Sequence, residues 1–94
     1  MPDDQETRYE EMVLELETIV APLDDRLAEV YMTKACLTAK LEYIQGHEDW
    51  ESRIVPIWDD NPVDVRIEIL GRGLEILREE FERAQKKGLI YSLN

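Results

Sequence analysis

Three kinds of residue in this 94-residue chain have the chemistry for a reaction: one cysteine, one histidine and carboxylates at helical spacing. A thiol nucleophile needs a base within hydrogen-bond reach to take its proton. Cys36 stands among apolar and small neighbours, and His47 follows eleven residues later, beyond Gly46. That placement predicts a packed, unreactive thiol. It also predicts a histidine that closes a helix at its negative end. One Cys and one His exclude a disulfide framework and any Cys/His zinc site within a single chain. The enzymatic option left is a magnesium-dependent all-α nucleotide hydrolase, which would hold its metal through Glu-x-x-Glu pairs on helices. Glu48–Glu51 and Glu79–Glu82 have that spacing, but with 14 glutamates such pairs arise by chance. No residues are therefore assigned as catalytic, metal-ligating or cofactor-binding. The expectation is a non-enzymatic protein with no cofactor.

Positioning elements come next. Apolar residues recur at alternating spacings of four and three along Tyr9, Val13, Leu16, Val20, Leu23, Leu27, Val30, Lys34, Leu37, Leu41 and Ile44. Only Lys34 breaks the run. This is the seam of helices packed side by side at a shallow angle, and Gly46 supplies its stop. Pro22 lies inside it, where a proline costs about 3 kcal/mol in a helix interior. Either one long helix kinks there, or one helix ends near Ala21 and a second opens with Pro22 in its first turn. A second seam runs through Val63, Ile67, Leu70, Leu74, Leu77, Phe81 and Ala84. Asn61 reads as its N-cap, Pro62 as its first residue, and Gly88 as its C-terminal stop. No strand alternation competes. The prediction is an all-α single domain over 1–94, a bundle of three long helices near 4–20, 22–45 and 62–87. An irregular Trp-containing connector spans 46–61, and a short tail spans 88–94.

Charge sets the outer limits of function. There are 22 acidic residues against 11 basic, a net charge of −11. Such a chain does not wrap nucleic acid phosphates directly and is repelled by anionic membranes. No apolar run is long enough to span a bilayer. The start of the chain is acidic where a signal peptide would be basic, so a cytoplasmic location is expected. The acidity is uneven: residues 1–20 carry −6 and residues 47–64 carry −5, whereas 21–46 carry −1 and 65–94 carry +1. The last segment balances itself through pairs such as Glu68–Arg72, Glu79–Arg83 and Glu82–Lys86.

Three surfaces therefore stand out as sites for partners. An acidic face formed by Glu10, Glu11, Glu15, Glu17, Asp49, Glu51, Asp59 and Asp60 suits a basic protein surface. Regularly spaced acids on a helix can imitate a nucleic acid backbone, so an inhibitor that occupies a nucleic-acid-binding surface is the sharpest form of this reading. Trp50 and Trp58, rimmed by acids, suit an aromatic anchor or a lid over the bundle end. Opposite the seam on the middle helix, Ala28, Met32, Ala35, Cys36, Ala39 and Tyr43 form a second apolar face. Its small residues admit another helix, and it is assigned to self-association as a homodimer. Gly71 and Gly73 flank the last seam and suit a close approach of backbones. The function expected is binding of another protein, as adaptor or inhibitor; the alternative is a purely structural oligomer-forming subunit.

Overall fold

The computed structural model describes residues 4–88, so nearly all of the expected C-terminal tail and the first three residues lie outside the described residues. The described chain is all-α: α1 (Asp4–Val20), α2 (Asp25–Gly46), a one-turn α3 (Trp50–Arg53), a 3₁₀ turn at Trp58–Asp60, and α4 (Val63–Lys86). No described helix is long and apolar enough to cross a membrane.

Pro22 lies in a turn between two helices. The Leu23 amide closes the turn on the Val20 carbonyl at 3.0 Å. Asp24 then caps α2, its carboxylate accepting from the Leu27 amide at 2.9 Å. The second helix thus begins three residues later than a Pro22 start would give, on an Asp that satisfies one of its free amides. At the far end Gly46 is the last helical residue rather than a left-handed stop; His47 follows it in extended conformation. Gly88 does take the left-handed conformation expected of it, with φ 73°.

The last helix is the central one. α4 packs against both α1 and α2, which barely touch each other. Flanked on two sides, α4 buries Val65, Ile69, Leu70, Gly73, Leu74, Ile76, Leu77, Phe81 and Ala84. That set is wider than one seam, as it must be for a helix with two neighbours. The molecule measures 42 × 34 × 19 Å, so it is a thin array of three helices.

A correction follows for α2. Its buried residues are Ala28, Ala35, Ala39 and Tyr43, which belong to the face assigned above to a second copy. Tyr31 joins them by meeting Phe81 edge-on, with ring centroids 5.0 Å apart. The large residues of the 4-3 seam point the other way: Val30, Leu37 and Leu41 are 62%, 57% and 58% exposed. The register that seemed to run unbroken through Pro22 holds in α1, where Val20 is buried and Leu16 is half-buried. It is reset in α2, because the turn rotates the new helix about its axis. The small face is the inner one since alanines let α2 lie close to α4. Gly73 sits at this approach, yet a methyl group there would meet nothing nearer than 3.9 Å. The approach is close without requiring glycine.

Candidate interaction surface

None of the chemical groups named from the sequence is assembled into a reaction centre. Cys36 lies within α2 and His47 just beyond its end, about three turns of helix away, and burial pushes the Cys36 thiol above its ordinary range. His47 stacks on Tyr43, ring centroids 4.0 Å apart. Its Nδ1 lies 2.8 Å from the Tyr43 carbonyl, and its Nε2 lies 3.5 Å from Glu68. These contacts fasten the C-terminal end of α2 to α4. They line a shallow cleft of 210 Å³ with Ala39, Glu42, Ile69 and Arg72. Arg72 Nε donates to both Glu42 oxygens, at 3.3 and 2.9 Å, and Nη1 donates to Glu75 at 3.0 Å. The polar groups of this cleft are engaged with one another. Among the described residues no three His, Cys, Asp or Glu converge as metal ligands. Glu48 lies in the bend before α3, and Glu82 is drawn to Lys86 at 3.6 Å.

The connector is organised by a residue that the sequence assigned to a different role. Asn61 is the one buried polar residue among those described. Its carboxamide oxygen accepts from the Val55 amide at 2.8 Å. Its nitrogen faces the carbonyls of Val55, Ile57 and Trp58 at 3.3, 3.2 and 3.1 Å. It is therefore a clasp for the loop, and Pro62 takes the N-cap position of α4 without a side-chain bond. The preference of Asn for N-caps was a real signal, but the same short amide also suits a loop with several free backbone groups.

Through this clasp Trp58 is turned inward. Its Nε1 donates to Tyr9 Oη at 2.7 Å, and its ring packs on the core. Arg66 lies over the Tyr9 ring, 4.5 Å from its centroid, while donating to the Asn61 carbonyl at 3.0 Å and facing Glu6 at 3.7 Å. Trp50 is half-buried. The connector shows Ile57, 64% exposed, and to a lesser extent Val55 to solvent. The sequence pointed to the tryptophans by their size, and nothing in the pattern marked Ile57.

The Trp58–Tyr9 bond has a larger consequence: it ties the acidic connector, net −4 over 46–61, to the acidic first helix, net −5 over Asp4–Val20. Among the described residues, Glu10, Glu11 and Glu17 of α1 and Glu51, Asp59 and Asp60 of the connector are exposed without an ion-pair partner. At about 100° per residue, Glu10, Leu14 and Glu17 fall on one line along α1, with Leu14 61% exposed between the two acids. Glu15 departs from the expected row because it pairs with Arg78 of α4. Asp49 is also taken: Arg53 Nε donates to it at 2.8 Å, which holds its carboxyl below the usual range. Of the eight acids named from sequence, six thus stay exposed and unpaired among the described residues. Comparison with known proteins finds no matching family, no matching curated protein and no matching solved structure.

Proposed function

We propose that the chain is a non-enzymatic binding module whose acidic edge engages a basic surface on another protein, as an adaptor or inhibitor. The observation that carries this reading is Leu14, an exposed apolar side chain between Glu10 and Glu17, which have no ion-pair partner among the described residues. An apolar centre with a charged rim is the composition of a protein contact site. Acids that serve solubility alone need no such centre. The charge selects a basic partner and speeds its approach, and Leu14 gives the contact a part that salt does not screen. The sharper form, mimicry of a nucleic acid backbone, keeps Glu10, Glu11 and Glu17 but loses Glu15 to Arg78. A purely structural subunit is the competing reading, and it leaves the acidic edge without a role.

The test is a titration with a basic amphipathic helical peptide of leucines and lysines, followed by amide NMR shifts. Saturable shifts centred on residues 10–17 and 57–60 are expected. Leu14→Glu should weaken binding by roughly tenfold or more, with helicity unchanged because the side chain is exposed. Shifts spread evenly over all acids, including Glu79 and Glu82 at the far end of α4, would reduce the acidity to solubility.

A further inference from the structure

The outer face of α2 carries an apolar stripe at 4-3 spacing, Leu27, Val30, Lys34, Leu37, Leu41 and Ile44. Val30, Leu37 and Leu41 at its centre are exposed, and Leu27 and Ile44 at its ends are half-buried. Helices that present such a seam bury it against another helix, and α4 already occupies the opposite face of α2. We propose that this stripe pairs with the same stripe of a second copy of the chain, the two α2 helices running antiparallel.

Three observations select this occupant and this direction. The first is the cation at the centre of the seam. Lys34 Nζ is drawn sideways to Glu80 of α4 at 3.2 Å, so its methylene stem lies along the seam while the charge sits at the edge. A parallel pair would stack Lys34 on the partner's Lys34. An antiparallel pair centred between Lys34 and Leu37 sets Lys34 beside the partner's Leu37 instead.

Charge on the flank agrees. Glu29 and Lys40 stand three turns apart on the same side of the stripe, and their midpoint falls within one residue of the seam's own centre. Antiparallel pairing therefore brings Glu29 against the partner's Lys40, twice by symmetry. A parallel pair leaves this flank of the two copies on opposite edges of the seam, so neither Glu29 nor Lys40 gains a partner from it. Area is the third observation. Leu27 to Ile44 covers about 26 Å of helix, and pairing over that length buries about 1,000 Å² in total, the lower bound for a biological interface and in the range of weak, reversible ones. With the molecule only 19 Å thick, the added layer also thickens a thin core.

The proposal is independent of the acidic edge, which lies on α1 at the other flank of α4. Sedimentation equilibrium of the full chain tests it. The wild type should weigh twice 11.1 kDa at tens of micromolar, and should do so equally in 0.1 and 0.5 M salt. Leu37→Glu and Leu41→Glu, both exposed positions, should give folded monomers by circular dichroism, while Leu14→Glu remains dimeric. Glu29→Lys alone and Lys40→Glu alone should each weaken association by about three- to tenfold. The double exchange Glu29→Lys/Lys40→Glu should restore it. A wild type that stays at 11.1 kDa up to about 100 µM overturns the proposal, and leaves the stripe to a different protein. A dimer that survives Leu37→Glu, or a double exchange that fails to restore pairing, overturns the interface or its direction.

Discussion

α1 and α2 flank the same helix yet hold it by different means. α2 lies against α4 through alanines, with Ala35 and Ala39 almost fully buried and the Gly73 backbone opposite them. α1 buries only Val20 completely. It is fastened by directional groups instead: Tyr9 to Trp58 and Arg66, Glu6 to Arg66, and Glu15 to Arg78. Close packing leaves no room for added volume, whereas polar fastening is sensitive to the loss of one partner. The two flanks should therefore fail under opposite kinds of substitution.

The largest effect is expected on the α2 side. Ala39 is 1% exposed, and Ala39→Leu inserts three carbons where α2 meets α4. It should lower unfolding free energy by about 2–3 kcal/mol in urea titrations. Gly73→Ala probes the same contact with a single carbon, which finds ordinary contact distances of 3.9 Å. It should raise stability by about 0.5–1 kcal/mol, because the helix interior no longer carries the entropy cost of glycine. If Gly73→Ala destabilises instead, α2 sits closer to α4 than the alanine contact implies.

On the α1 side the sensitive group is a hydroxyl. Tyr9→Phe keeps the ring under Arg66 but leaves the Trp58 indole N–H without its acceptor. A half-buried donor so exposed should cost about 1 kcal/mol. The measurement that locates the loss is Trp58 emission, which should change while α2 and α4 amides keep their hydrogen-exchange protection. Loss of protection throughout would mean that α1 and α2 are one cooperative unit and that the contrast between the flanks is only geometric.

The same contrast explains what could be read from residues alone. Helix α4 was legible because the Gly88 stop, the end charges and the apolar period agree, although its N-cap did not; Leu70, Leu74, Leu77, Phe81 and Ala84 of its seam are buried, and Val63 and Ile67 are half-buried. For α2 the period was legible and its facing was not. Two apolar stripes run on opposite sides of it, and pattern alone weighs Leu37 and Leu41 above Ala35 and Ala39. Distance of approach decides otherwise: α4 can come close to alanines, and the larger residues are left outside. The turn at Pro22 hid this, since the 4-3 count passes through it unbroken although the helix axis does not. In the candidate site the acids of α1 and the connector were visible as charge. The link between these two segments was not, because it is a bond between residues 49 positions apart.

The smallest effect belongs to the charge pair between α1 and α4. Arg78 and Glu15 face each other with side chains 52% and 42% exposed, so water and salt screen most of their attraction. Arg78→Ala should therefore cost no more than about 0.5 kcal/mol at low salt, and the difference from wild type should vanish in 0.5 M salt. The variant also releases Glu15 to solvent and completes the row of acids on α1. Stability and binding should thus move in opposite directions: a slightly weaker fold, and tighter capture of the basic peptide at low salt. A loss of more than 1 kcal/mol that persists in high salt would place the hold on α1 at Arg78, through its buried stem, and would demote the Tyr9–Trp58–Arg66 cluster to a decoration of the loop.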